Sequence, residues 1–439
     1  MWTISSTIPG SNMLLNSGAN ASIMPLKRGS YRFTPHLIAL MTLVDTFGGA
    51  LQNVLPASLL LRAGLVILLL VHLLYAKARQ PKMLILWCVI LGYFALRLFV
   101  DFFLLLDQRV VSMEAGSTMK LLYFPLLYTY FSDGIESGDV TAEQMRRGVL
   151  WYGWLVIISL VLGKVTGLGS AIGGRGTDIE GGKGFMIGAN EVGVMLVLTA
   201  PFVLADLLSR LRSVLLASVL ELVIYAAAGV YVFTKSSLIS TVVAGYSVFR
   251  ALMQGGRFTR NLVWAGGTMA TIFMARSIII NWSAIEQFAQ TTFFAALLDE
   301  GIIAFLFRGR DTYISAIFPQ MLDHPLNFVF YLFGAGEFYF RQLSTAPLML
   351  PADQATSFEM DFFDLFAAYG LIGTFFYCLI VGLVVKMSQL RRPPAEVILA
   401  VVCAVVHAFM AGHVLYSPQV TTILVLVLLA HAQPGSRPK

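Results

Sequence analysis

The residues best suited to chemistry stand in short segments between long apolar runs. The first segment, residues 167–184, contains eight glycines and Arg175. Consecutive amide groups of a glycine-rich backbone can form a concavity that binds anions, and an arginine adds a bidentate donor for phosphate. The segment is not a nucleotide P-loop, because the Gly-Lys-Ser/Thr ending is absent. It predicts either an anion site or a flexible linker.

Two polar residues, Asn190 and Glu191, begin the apolar run that follows. A polar pair at a membrane helix start costs free energy unless it is paired or faces a cavity. The pair therefore predicts one of two arrangements. It either caps the helix at the membrane interface or lines a substrate cavity and supports the arginines.

A further arginine pair, Arg308 and Arg310, stands in the sequence Phe-Arg-Gly-Arg-Asp-Thr-Tyr. Asp311 and Tyr313 complete this motif, and His324 follows before the segment Phe-Gly-Ala-Gly. The residues allow two interpretations. Arginine and aspartate pair to order a loop, or the arginines bind phosphate through charge-assisted hydrogen bonds.

Three carboxylates, Glu359, Asp361 and Asp364, lie within six residues at the start of another apolar run. Asp361 and Asp364 fall on one face of a helix because they are three residues apart. One carboxylate could act as a general base in a partly dehydrated site. A favourable interaction with the helix dipole explains one acidic residue here, but less easily all three.

These segments belong to a chain with the composition of a membrane protein. Of its 439 residues, 57% are hydrophobic and only 12% are charged, against about 25% charged in soluble domains. This excludes a soluble globular protein, a disordered chain and a disulfide scaffold. The three cysteines lie in apolar runs without other ligands at metal spacing, so no metal site is predicted.

A transmembrane helix needs about 20 apolar residues, and the chain offers about twelve such runs. A cytoplasmic N-terminus puts all the basic loops on the inner side, so the net charge of +6 orients the chain and requires no nucleic acid. The twelve predicted spans are 35–54, 56–76, 83–105, 118–132, 148–166, 185–207, 214–233, 236–253, 262–281, 361–385, 396–413 and 417–432.

The predicted fold is therefore all-α, a polytopic integral membrane protein with one long outer loop that carries short interfacial helices. Loops of this length are uncommon unless they are functional. The predicted parts are a cytoplasmic N-terminal tail, helices one to nine, the long loop, helices ten to twelve and a cytoplasmic C-terminal tail, with the boundaries 1–34, 35–281, 282–358, 359–432 and 433–439.

Taken in order, four features over about residues 150–385 resemble the bacterial O-antigen polymerase and O-antigen ligase superfamily. The twelve spans with one long outer loop late in the chain are also similar to that family. The four features are the glycine-rich loop with Arg175, the Gly184-Phe to Asn190-Glu191 helix start, Gly309-Arg310-Asp311 leading to Phe333-Gly334-Ala335-Gly336, and Tyr369-Gly370-Leu-Ile-Gly373.

The resemblance implies a membrane glycosyltransferase of the GT-C type in the bacterial inner membrane, with its active site on the periplasmic face and no metal or other cofactor. Its partners would be undecaprenyl-diphosphate-linked glycans as donor and acceptor, and it allows a chain-length regulator as well. Arginines would hold the lipid diphosphate, a role that carries over to Arg175 and Arg310, with Arg308 beside them. The cavity or support residues would be Asn190, Glu191, Asp311, Tyr313 and His324.

One position departs from the ligase branch of this family. There a histidine commonly lies about eleven residues before the first glycine of the Gly-x-x-Gly signature, and here Glu359 holds that position. The departure favours the Wzy-type polymerase branch, with Glu359 or Asp361 as the catalytic base. A ligase is the nearest alternative. A transporter or flippase would show paired broken helices near the midplane, and a non-catalytic assembly scaffold would not need the arginines.

Overall fold

The structure, a computed structural model, describes residues 31–254, 327–345 and 360–432 with short gaps, together with single positions between 260 and 323. Within these residues the chain is helical, which confirms the predicted all-α fold. One small departure is a two-residue antiparallel ladder between β1 (Ala171–Ile172) and β2 (Gly181–Gly182). The ladder lies in the glycine-rich segment, where β2 contacts the helices Ala142–Thr166 and Val214–Val232.

Eight long helices form the N-terminal part of the described chain. They are α1 (Thr34–Leu51), α2 (Ala57–Lys77), α3 (Pro81–Leu105), α4 (Gln108–Glu136), α5 (Ala142–Thr166), α6 (Ala189–Arg210), α7 (Val214–Val232) and α8 (Lys235–Met253).

The later part of the described chain begins with two short helices inside the predicted long loop. They support the expectation of short helices there. Three longer helices follow and complete the bundle. The five are α9 (Asn327–Phe333), α10 (Glu337–Thr345), α11 (Asp361–Arg391), α12 (Ala395–Met410) and α13 (Pro418–Leu429).

Helices α1–α8 and α11–α13 lie at predicted spans, whereas the ninth span, 262–281, falls almost wholly outside the described residues. In the described part, α5, α6, α7 and α8 are long and apolar enough to cross a membrane, and α2, α3, α12 and α13 contain or form shorter apolar helices. Together they confirm a polytopic membrane protein.

Burial separates the central helix from those that face outward. In the apolar 18-residue stretch of α6, 83% of the residues are buried inside the protein, whereas in that of α7 only 33% are buried. Helix α6 contacts α5, α7, α8, α12 and α13. It is therefore the core of the bundle, and α7 presents most of its apolar side chains to the surroundings, as expected for a helix against lipid.

Two helix boundaries differ from the prediction in ways that matter for the site. Helix α4 begins ten residues earlier than the predicted fourth span, and in these added turns Val110 and Glu114 are buried while α10 packs against the helix. Helix α12 ends at Met410, and residues 412–417 lie in a connection outside the helices. Hydropathy alone marks neither feature, since both depend on contacts between distant segments.

Candidate functional site

Two glycine motifs meet in one junction that breaks α11. The break is at Gly370, whose backbone has φ 60° and ψ −150°. Near it, the amide groups of Ala335 and Gly336 donate to the carbonyl oxygens of Ala367 and Ala368 at 2.8 and 3.0 Å. A helix break frees backbone groups that must find other partners in a membrane, and here the Phe-Gly-Ala-Gly segment supplies them.

The junction requires glycine at two positions. Gly334 and Gly370 both have positive φ, 75° and 60°, a region that other residues adopt only with strain. A Cβ on Gly334 would lie 2.3 Å from the backbone of Ala368, and one on Gly370 would lie 2.6 Å from the amide nitrogen of Gly334. We refer to these facing segments, 333–336 and 367–370, as the glycine junction.

The glycine junction places α10 against the first turns of α4. The amide of Phe338 donates to Glu114 Oε1 at 3.0 Å. Glu337, buried like Glu114, forms an ion pair with Arg341 at 2.6 Å. Lys120 of α4 interacts electrostatically with Glu337 and Arg341. The short helix α10 thus adds charged groups to the bundle at this end.

Asp361, the first residue of α11, has no exposed surface. Its Oδ2 accepts hydrogen bonds from the amides of Val414 and Leu415 at 2.8 and 2.7 Å, and its Oδ1 accepts from Tyr416 at 3.3 Å. A carboxylate that accepts several amide hydrogen bonds is firmly held. This geometry favours a positioning role for Asp361, in which it anchors residues 414–416.

Asp364, one turn further along α11, holds a histidine. Its Oδ2 is 2.9 Å from Nε2 of His413 and also accepts from the amide of Met360 at 2.9 Å. The Asp364 side chain is 2% exposed and that of His413 is 25% exposed. Burial alone would favour a neutral imidazole, but the hydrogen bond and charge of Asp364 outweigh it and raise the pKa of His413 to about 9.

Arg310 is the diphosphate-binding candidate that the structure describes. It lies in helical backbone and is 6% exposed, far less than a solvated surface arginine. Its charge acts on His407 near the end of α12, which also interacts with His413 and Lys235. A guanidinium so deeply buried is costly unless neighbouring polar groups compensate it.

These charged side chains gather at one end of the bundle. In the predicted orientation, the outer side holds six helix ends, namely the starts of α4, α6, α8, α11 and α13 and the end of α12. Arg341 interacts with Asp364 as well as with Glu337, so α10 and α11 share the group. We call this set the outer cluster, and its members are Arg310, Glu337, Arg341, Asp361, Asp364 and His413.

The predicted cavity residues Asn190 and Glu191 open α6, as expected. The carbonyl of Asn190 accepts from the Ser236 hydroxyl of α8 at 3.2 Å. The Glu191 carboxylate folds back over Gly188, next to the positive end of the helix dipole. Glu191 also interacts electrostatically with His413 and Lys120. Glu191 therefore combines a place at the helix start with an electrostatic contact to the outer cluster, and Asn190 joins α6 to α8.

The remaining predicted site residues lie outside the described residues, and their roles stay predictions. Among the described residues, no group of three or more His, Cys, Asp or Glu is placed to hold a metal ion. The residues outside the described part are Arg175, Arg308, Asp311, Tyr313, His324 and Glu359.

Sequence reasoning missed His413 and Arg341. His413 stands alone in a short stretch between two apolar runs, and its partner Asp364 is 49 residues away. Arg341 pairs with Glu337 four residues earlier, a spacing that is visible in the sequence and typical of a helical ion pair. That spacing was an available signal, whereas the His413 contact arises only from the packing of α11 against the α12–α13 connection.

Residues 280–431 match a family model described as O-antigen ligase like membrane protein. The comparisons with curated proteins and with solved structures give no match. The matched region contains the glycine junction and the whole outer cluster, whereas Arg175 and the start of α6 lie outside it. The match to this family model does not separate the polymerase branch from the ligase branch. Over residues 280–431 the chain is thus similar to the O-antigen ligase like membrane proteins, and its described helices are those of a multi-pass membrane protein.

Proposed function

We propose that the protein polymerises undecaprenyl-diphosphate-linked oligosaccharide repeat units into a surface polysaccharide at the periplasmic face of the inner membrane. The observation that carries this proposal is the buried, polar outer cluster with Arg310, which stands inside the region that matches the family. A hydroxyl of one repeat unit displaces the lipid diphosphate from the anomeric carbon of another.

Charge is the main requirement of this reaction. The leaving diphosphate gains negative charge as the glycosidic bond breaks, and fixed cations stabilise that charge best in a site from which water is excluded. Arg310 is such a cation by its burial. We propose Arg175 as the second arginine of a diphosphate clamp, with Arg308 beside them and with Asp311, Tyr313 and His324 as supporting residues of the same loop.

The acceptor hydroxyl needs a base, for which Glu359 and Asp361 are the candidates from the sequence. Asp361 Oδ2 is within 2.8 Å of two backbone amides, so it is less free to take a proton. That favours Glu359 between the two. The absence of a histidine at position 359 also supports the polymerase over the ligase in this proposal.

The ligase is the second candidate, and the description of the matching family supports it. Both reactions use the same donor but differ in acceptor. Deleting the gene from its host separates them. We expect single repeat units in place of polymer on the final carrier, as measured by gel and mass analysis of the glycans. Accumulation of full-length polymer on undecaprenyl diphosphate would contradict the polymerase and indicate a ligase.

A further inference from the structure

The connection between α12 and α13 presents a histidine that is held from two sides. His413 Nε2 is bonded to Asp364. The following three residues have their amides bound by Asp361. Because Asp361 and Asp364 lie one helical turn apart at the rigid start of α11, the same turn fixes both the imidazole and the backbone next to it. The packing of two spans therefore sets the position of His413.

Further contacts fix the same connection from α13. The hydroxyl of Thr421 donates to the carbonyl of Val414 at 2.9 Å, and the ring of Tyr416 lies 5.6 Å from that of His413. A side chain held in this way keeps one rotamer, which is what a catalytic group requires. Because Asp364 engages Nε2, Nδ1 is the nitrogen that remains to exchange a proton, and a quarter of the side chain is exposed.

We infer that His413, oriented by Asp364, is the general base that takes the proton from the acceptor hydroxyl, in place of the sequence candidates Glu359 and Asp361. This inference rests on the proposed glycosyl transfer. The acceptor oxygen forms a bond to the anomeric carbon, the bond from that carbon to the diphosphate oxygen breaks, and the diphosphate leaves with the electron pair. The hydroxyl proton moves to Nδ1, and the imidazolium, stabilised by Asp364, later releases it to solvent.

The charges around His413 set the pH at which it can accept a proton. Asp361 and Asp364 of α11 and Glu191 of α6 favour the imidazolium, whereas the burial of the ring and the nearby His407 of α12 oppose it. The carboxylates prevail, and the pKa of His413 rises to about 9. Below that value, the neutral fraction of His413 therefore increases about tenfold for each unit by which the pH rises, and the transfer rate should rise with it.

The test measures glycosyl transfer by purified full-length protein, with a defined lipid-linked repeat unit, from pH 6 to pH 10. We expect His413→Gln to lose about 10²–10⁴-fold in rate, the range of general base catalysis, while it still binds the donor lipid. Asp364→Asn should shift the rise of the pH profile to lower pH, because the imidazolium loses its partner. His431→Gln, a change at the predicted inner end, is the control.

Two results would overturn the inference. One is a His413→Gln protein that is folded and transfers at the wild-type rate. The other is an Asp364→Asn protein whose pH profile keeps the wild-type midpoint, which would show that the titrating base is elsewhere. Both differ from a failure of the proposed function, in which the wild-type protein would transfer no glycan at any pH.

Discussion

At the residue scale, the outer cluster shows that neighbouring carboxylates can have different roles. Asp361 binds backbone amides and Asp364 binds an imidazole, although the two have the same chemistry and occupy adjacent turns. The sequence indicates that both face one side of a helix, which the structure confirms. The sequence does not reveal the partners of the two carboxylates, because residues 413–416 contact them only through the packing of α11 and α13.

The His413–Asp364 pair should contribute stability that depends on pH. The folded pKa of His413 is about 9 and its ordinary value is 6.5. A raised pKa means that the pair contributes fully below about pH 6.5 and that its contribution is lost as the pH rises through 9. We expect Asp364→Asn to lower stability by about 1–3 kcal/mol at pH 6 and by less at pH 10, as measured by thermal unfolding in detergent. Equal losses at both pH values would contradict this account.

At the element scale, the glycine junction explains why two glycine motifs belong together. The motifs Phe-Gly-Ala-Gly and Tyr-Gly-Leu-Ile-Gly lie far apart in the sequence, and their resemblance to a family said nothing about contact. The structure shows that they form one unit with paired backbones. The Tyr93 hydroxyl also donates to the carbonyls of Phe333 and Tyr369 at 3.3 and 3.4 Å. Together, the two glycine motifs break α11 and hold α10 against the bundle.

Replacing Gly334 of the glycine junction should therefore be far more damaging than replacing a glycine of α11 that lies outside the junction. In Gly334→Ala the new Cβ would meet the backbone of Ala368 at 2.3 Å. We expect overpacking to lower the free energy of unfolding by about 1–3 kcal/mol. Strain from the positive φ would add to this loss, and the measurement is a lower melting temperature in detergent. The matched control is Gly382→Ala in α11, where nothing lies within 4 Å.

The control variant should keep or slightly raise the melting temperature, since alanine favours a helix by about 1 kcal/mol over glycine. Equal melting temperatures for Gly334→Ala and the wild type would show that the junction does not bear on stability.

The wider fold was predictable at this scale, because long apolar runs are the strongest signal that a sequence carries. The break in α11 was not, since its cause lies in a separate segment.

At the scale of the whole molecule, the predicted orientation and the observed contacts are consistent with one functional face. The charges that orient the chain lie in the predicted inner loops, whereas the outer cluster gathers Arg310 and charged groups from α10, α11 and the α12–α13 connection. The long helices of the described part could be predicted from hydropathy, and the outer location of the polar motifs stays a prediction from charge. The composition of the cluster does not, because Arg341 and His413 join it only through the glycine junction and the Asp361 anchor.

We propose above that arginines on the predicted outer face, among them the buried Arg310, stabilise a leaving lipid diphosphate. The most direct measurement is polymer formation by the purified protein from a defined lipid-linked repeat unit. We expect Arg310→Ala to reduce the rate by about 10²–10³-fold, as for the loss of one fixed donor to developing negative charge, and Arg175→Ala to act in the same direction.

The matched control is Arg147→Ala, which removes an exposed arginine paired with Glu143 at the predicted inner end, where its side chain is 67% exposed. It should keep the wild-type rate. Size-exclusion chromatography would verify that all variants are folded. We expect polymer from the wild type and from Arg147→Ala and almost none from Arg310→Ala. Polymer at the wild-type rate from folded Arg310→Ala would contradict the diphosphate-binding role of this arginine.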